Sequence, residues 1–275
     1  MNNLNDMYFS QNSFEIFSKC RMKFKKRYID GLLWRSHEST ENNHAEKGRL
    51  FHLLAYRYFM GLDDTFVDEK GEYANIKVWQ DRLKMTLGTV LSGASKGVAQ
   101  NRPQCHLFPE FELKLCEGET RLQAKYDLIM IDTDNRAVIY DWKVQDKPIK
   151  PKNAEQAFQT RVYMYLLAKA GDIIQGKPIK PEDITMIYWQ ANHPASQVKI
   201  CYSEELFKLD EEFLKSEIEK ILNCDFGSAG LKTTDEKVCR FCEFCSICNG
   251  FESEEVIDDA DGFEIEWEQV EEVEF

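Results

Sequence analysis

The amino-acid sequence predicts an α/β protein built around a mixed sheet. Three observations carry that prediction. The middle of the chain holds three closely spaced stretches, 108–116, 121–131 and 137–144, that alternate apolar and polar residues as half-buried strands do. A helical pattern at 152–170 separates the third stretch from an apolar run at 184–190, and a strand–helix–strand order implies a parallel pair beside the hairpin. Helical periodicity flanks this centre on both sides.

Residues 12–30 are expected to form one helix, because Phe14, Phe17, Cys20, Phe24 and Tyr28 recur at three- and four-residue steps. Cys20 then faces inward, and Asn12 with Glu15 makes the expected capping pair. A second helix follows at 43–60 and a third, less clean, at 74–100. Asp132–Arg136 has turn chemistry, which joins the second and third strands as a hairpin. The helix at 152–170 stops at Gly171, and an amphipathic helix at 203–223 leads into a cysteine-rich loop.

No run of about 18 apolar residues appears, and the polar N-terminus lacks a signal-peptide core, so a soluble, cytoplasmic protein with no membrane partner is expected. Nine cysteines in such a chain argue for metal or cluster ligation rather than disulfides. The net charge of −13 is concentrated at one end: residues 251–275 hold twelve Asp/Glu and no Lys/Arg, leaving 36 acidic against 35 basic residues elsewhere. Arg21, Lys23, Lys25, Lys26 and Arg27 cluster, either as a face for a polyanion or as a solvated helix face. Within the tail, 263–268 alternates like a strand; it either docks and covers a basic groove as an electrostatic mimic of a polyanion, or is a disordered solubilising or partner-binding segment.

Asp141 and Lys143 lie two apart on one strand and so share a face. With the turn centred on Asp134, Asp127 and Asp141 fall seven residues to either side, which makes them cross-strand neighbours. Like charges so placed are unfavourable without a cation between them, and oxygen ligands suit Mg²⁺ or Mn²⁺. The alternative is an Asp–Lys pair on a solvated strand. Glu110 or Glu112 adds a further acidic group or is an ordinary strand-surface carboxylate.

Asp127, Asp141 and Lys143 on such a hairpin resemble the pattern of the PD-(D/E)xK nuclease superfamily. Three more segments resemble its RecB-type branch. Gly48-Arg-Leu-Phe-His52 is similar to the G-x-x-x-H segment, whose histidine is a metal ligand. Gln159-Thr-Arg-Val-Tyr163 is similar to the Q-x-x-x-Y motif, and its spacing puts both side chains on one helical face. The stretch from Ser13 to Phe24 is similar to the serine-led first helix that carries a cysteine. Arg21 and Met22 stand where proline usually follows that cysteine, and Ala124 stands where a glycine usually precedes the aspartate.

Val238-Cys-Arg-Phe-Cys-Glu-Phe-Cys-Ser-Ile-Cys-Asn-Gly250 has a cysteine at every third position. C-x₂-C-x₂-C supplies three corners of a [4Fe–4S] cube, and a tight loop does not wrap all four irons. Cluster-bearing members of the family close their site with C-x₂-C-x₅-C and a remote cysteine. The resemblance therefore implies Cys20, Cys239, Cys242 and Cys248 as ligands, with Cys245 spare. A local Zn(Cys)₄ site and a cluster using Cys245 in place of Cys248 remain alternatives. Cys105, Cys116, Cys201 and Cys224 are scattered and taken as ordinary.

The resemblance implies a restriction-endonuclease-like α/β fold with a helical N-terminal part and a cluster-bound C-terminal segment. One nuclease domain would span 1–250: a mainly helical part at 1–100, the catalytic core at 101–200, and the last helix with the cysteine loop at 201–250, followed by the acidic tail at 251–275. It implies metal-dependent hydrolysis of DNA phosphodiesters by an exonuclease acting on single-stranded ends. His52, Asp127, Asp141 and the Trp142 carbonyl would hold Mg²⁺ or Mn²⁺, Lys143 would neutralise developing charge, and Gln159 and Tyr163 would contact substrate or position Lys143. Helicase, recombination or CRISPR-adaptation proteins are the partners such nucleases work with. No G-x-x-x-x-G-K-[ST] loop is present, so unwinding would need a separate motor. Rival readings are a catalytically idle DNA-binding or scaffold protein of the same fold, and the same nuclease stabilised by zinc.

Overall fold

The hairpin expected around Asp132–Arg136 forms, and its turn shows why: the Asp132 carboxylate accepts the backbone N–H groups of Asp134 and Arg136, while Asn135 adopts a left-handed φ of 65°. The structure, a computed structural model, describes residues 4–32, 43–64, 71, 73–91, 105–240 and 242–250. The acidic tail and the end of the helix expected to reach residue 100 lie outside these.

The helices, in chain order, are α1 (Gln11–Lys19), α2 (Arg21–Phe24, continuing as a π turn through Ile29), α3 (Asn43–Phe59), α4 (Ala74–Leu91), α5 (Pro151–Gln156), α6 (Phe158–Ala170), α7 (Asp172–Gln175), α8 (Glu204–Leu222), α9 (Glu236–Arg240) and α10 (Cys245–Asn249). The strands are β1 (His106–Glu117), β2 (Thr120–Ile131), β3 (Ala137–Lys143), β4 (Ile184–Gln190) and β5 (Val198–Cys201). They form one sheet in the order β1-β2-β3-β4-β5. All pairs are antiparallel except β3 with β4, so the sheet is mixed as expected, with α5 and α6 in the parallel crossover.

Two expectations need correction. The helix expected over 12–30 breaks at Cys20, whose extended backbone (φ −158°, ψ 108°) ends α1 and caps α2, its Sγ accepting the Lys23 N–H. The cap of α1 is Ser10 with Ser13 in a reciprocal box, not Asn12 with Glu15. Similarly, the helix at 152–170 is interrupted by extended Ala157, so Gln159 sits in the first turn of a fresh helix. Strand β5 was not foreseen; four residues are too few for alternation to stand out.

The sheet divides the core into two layers. One face packs Phe14, Ile16 and Phe17 of α1, Val162 and Leu166 of α6 and Ile218 of α8. The other packs Phe51, Leu54 and Ala55 of α3 and Trp79 and Leu83 of α4 against Leu128, Trp142 and Trp189. Strands β1 and β2 change faces partway along. Leu122, Ala124 and Tyr126 point into the first layer, but Leu128 points into the second. Likewise Leu113 and Leu115 face the first layer and Leu107 the second. The ladder pairs Pro109 with Leu128 and Phe111 with Tyr126. Glu110 and Asp127 lie between those pairs, at the switch, and Glu110 takes a left-handed φ of 51°.

No helix among the described residues is long and apolar enough to cross a membrane.

Candidate active site

The β2–β3 ladder ends at Leu128 and Tyr140, in the register that faces Asp127 towards Asp141. Beyond that rung the strands part, and Asp127 turns its carboxylate to the backbone instead. Its Oδ2 accepts the Trp142 N–H at 2.6 Å, and its Oδ1 lies 3.0 Å from His52 Nδ1. His52 comes from α3 on one layer, and its buried helix turn is fixed by Phe51, which stacks on Trp189 and is fully enclosed. Trp142 thus enters the site through its backbone, while its indole belongs to the core.

Asp141, buried to 4 % exposure, faces the other layer and meets α6. Gln159 Nε2 donates to Asp141 Oδ1 at 2.7 Å, and Lys143 Nζ donates to Gln159 Oε1 at 3.0 Å. Lys143 Nζ also stands 3.1 Å from Asp141 Oδ2 and lies over the Tyr188 ring. The ammonium is therefore held by a carboxylate and an amide at once, which fixes its direction. Tyr163, one turn on from Gln159, donates to the Lys125 carbonyl at 2.8 Å and accepts from Gln11 Nε2 at 3.4 Å. It ties α6 to β2 and to α1.

The structure thus brings His52, Asp127, Trp142, Asp141, Lys143 and Gln159 together where β2 and β3 part. It also brings in Glu110, which strand alternation alone left level with Glu112. Ligand atoms of His52, Glu110 and Asp127 all lie within 4.8 Å of one another, a grouping that could hold a metal ion. Asp141 stands outside that group. A signal for Glu110 existed: Gly118, with φ 59°, turns β1 into β2, and Glu110 falls opposite Asp127 across that turn. Burial, and then the Asp127 charge, push the Glu110 carboxyl above the usual range, against the pull of His52 and Lys125. Burial opposes a charged His52, but Asp127, by charge and hydrogen bond, outweighs it and raises the imidazole's pKa.

A donor set of one imidazole and carboxylate oxygens fits a divalent cation of the Mg²⁺ or Mn²⁺ type.

A second group gathers thiols from both ends of the described chain. Cys20, Cys239, Cys242, Cys245 and Cys248 line one small cavity together with Lys23 and Lys232. The extended break at Cys20 is what lets an N-terminal thiol face the C-terminal loop. Burial pushes the Cys242 thiol up to about 11, with the neighbouring Cys20 charge adding and Lys23 opposing. Cys248 is raised by burial too, with Cys20 and Cys239 among its charged neighbours and Lys26 and Lys232 opposing. Cys245, fully buried, accepts from Asn249 Nδ2 at 3.6 Å. Glu243 clamps the loop to the N-terminal segment, pairing with Lys23 at 2.9 Å and Arg27 at 3.0 Å. Lys25 pairs with Asp30 at 2.8 Å, so much of the basic cluster in the sequence is used internally.

The model of the PD-(D/E)XK nuclease superfamily matches residues 8–249. No curated protein matches the chain. Among solved structures, one from Eubacterium rectale named "Putative exonuclease" is similar over 92 % of this chain and 91 % of its own, at TM-score 0.52 and 12 % identity. The structure of SSO0001 is matched over 84 % of this chain and 94 % of its own, at TM-score 0.34 and 15 % identity. The first likeness is one of fold; with a family match over nearly the whole described length, the chain belongs to the PD-(D/E)XK nuclease superfamily.

Proposed function

We propose that the chain is an exonuclease that hydrolyses DNA phosphodiesters from single-stranded ends, using Mg²⁺ or Mn²⁺ at the β2–β3 cleft and a [4Fe–4S] cluster as a structural tie. One observation carries the catalytic half: Lys143 is held by Asp141 and Gln159 while His52 and Asp127 pair beside it, in the cleft where β2 and β3 part. The exonuclease name of the Eubacterium rectale protein supports the direction of the proposal. Single-strand preference rests on the resemblance to RecB-type nucleases.

A divalent ion held by His52, Asp127 and Asp141, with the Trp142 carbonyl, would supply Lewis-acid polarisation of the phosphate and make water more acidic. The chain's own groups set the stage for it. The Trp142 N–H fixes the Asp127 carboxylate. Lys143 Nζ offers a full positive charge to the phosphate oxygens as negative charge develops. Gln159 keeps Asp141 and Lys143 in fixed mutual placement. Tyr163 holds the β2 backbone at Lys125 next to the cleft.

Cys20, Cys239, Cys242 and Cys248 would ligate the cluster. Cys20 and the loop cysteines line one cavity although they come from the two ends of the chain, which favours the cluster over a zinc ion held wholly within the loop. Bound there, the cluster would join α2 to the α9–α10 loop.

The test is Mn²⁺-dependent digestion of labelled single-stranded DNA by the full chain and by Lys143→Ala. The variant should be inactive with its melting profile kept. Activity retained without Lys143 rejects the proposal, as does an inert parent protein.

A further inference from the structure

We propose that Glu110 is a ligand of the divalent ion in the β2–β3 cleft, closing the site from the β1 side; this rests on the nuclease reading above. The first support is distance. Ligand atoms of His52, Glu110 and Asp127 lie within 4.8 Å of one another. Around one ion, with ligands at about 2.0–2.6 Å, two ligand atoms stand at most about 4–5 Å apart, so the spacing of the trio suits a single shared ion.

The second support is charge. Glu110 and Asp127 face each other on paired strands, and like charges so placed are unfavourable unless a cation lies between them. The protein supplies only a partial answer. Lys125 Nζ reaches Glu110 Oε2 at 3.1 Å from a half-exposed side chain. Glu110 Oε1 is buried and has no hydrogen-bond partner among the described residues. Buried acceptors in folded proteins are nearly always satisfied, and an ion is the donor-equivalent that a carboxylate oxygen beside another carboxylate requires.

The third support is backbone. A glutamate at φ 51° occupies a region that non-glycine residues rarely enter. That excursion takes Glu110 out of the strand's alternation. Asp141, by contrast, is engaged by Gln159 and Lys143 and stands outside the group of three. The second carboxylate nearest His52 and Asp127 is therefore Glu110.

The experiment is calorimetric titration of the full chain with MnCl₂, without DNA, for the parent, Glu110→Gln, Glu112→Gln and Asp127→Asn. Glu112, half exposed and paired with Lys114, is the control on the same strand. Glu110→Gln should weaken Mn²⁺ binding about tenfold or more, with Glu112→Gln at the parent value. Parent-like affinity in Glu110→Gln, with binding lost in Asp127→Asn, overturns this inference and leaves the nuclease reading standing. Parent-like affinity in both variants overturns the two together. Melting curves separate a structural role. Removing one of two facing charges should leave the metal-free midpoint equal or higher while shrinking the Mn²⁺-induced rise. A lowered midpoint with an undiminished rise overturns the inference. If Glu110→Gln does not fold, Glu110→Asp keeps the charge and shortens the reach; it should also lose affinity, and parent-like binding would again refute the assignment.

Discussion

Gln159→Leu isolates the part of the site that holds Lys143 in place. The amide is 4 % exposed and spans two charged groups, donating to Asp141 and accepting from Lys143. Leucine has nearly the same volume, so the pocket stays filled, but both charge-assisted hydrogen bonds go. Such bonds are worth about 1.5–3 kcal/mol each. The direct Lys143–Asp141 contact at 3.1 Å survives, so the pair should persist with its direction loosened. A displacement of reacting groups by about 1 Å costs on the order of 100-fold in rate, equivalent to about 2.7 kcal/mol of activation free energy. The expected result is kcat down about 100-fold for Mn²⁺-dependent digestion of labelled single strands, with KM within about twofold. That split marks a positioning residue. Full activity in Gln159→Leu would show that Asp141 alone fixes Lys143. A loss carried wholly by KM would show that Gln159 contacts substrate instead, and either result refutes the reasoning.

Two further outcomes concern the cysteine end. Cys20→Ala should lose the absorbance near about 400 nm expected of iron–sulfur thiolates and lower the melting temperature, whereas Cys245→Ala should keep both largely intact; the reverse pattern would place the site wholly within the loop. Glu243→Gln should lower denaturant stability by about 2–4 kcal/mol, because it removes the carboxylate charge that pairs with the mostly buried Lys23 and Arg27 side chains, and an unchanged midpoint would reduce the clamp to a surface pair.

Much of the fold was legible because its signals are local. Alternation marks β2 and β3, and Asp132–Arg136 carries its own turn chemistry, so the β2–β3 register, with Leu128 opposite Tyr140, follows from counting. The breaks at Cys20 and Ala157 were not legible, because the apolar spacing runs straight through them and only tertiary packing selects the extended residue. Ser10 is not legible as a cap in the sequence, because the apolar periodicity begins only at Phe14. Within the site, Gln159 and Lys143 were nameable from motif spacing, but their shared hydrogen bond depends on a helix that restarts at Phe158. Glu110 escaped priority for a different reason. In a strictly alternating strand its partner across the hairpin has no special standing, and nothing in the composition of β1 announces that the alternation flips there.

That flip carries a consequence for how the protein can change. Because β1 and β2 each switch faces at one residue, and the two residues sit opposite one another, the ladder keeps its count on both sides. Deleting Glu110 alone would slide one half of β1 against β2 and send its apolar side chains to the wrong layer. Deleting Glu110 and Asp127 together would restore an ordinary ladder, and with it a tidy sheet without a centre for chemistry. The carboxylate at the heart of this cleft thus occupies the rung that the sheet surrenders. Insertions and deletions on these two strands can only be tolerated in matched pairs, away from that rung.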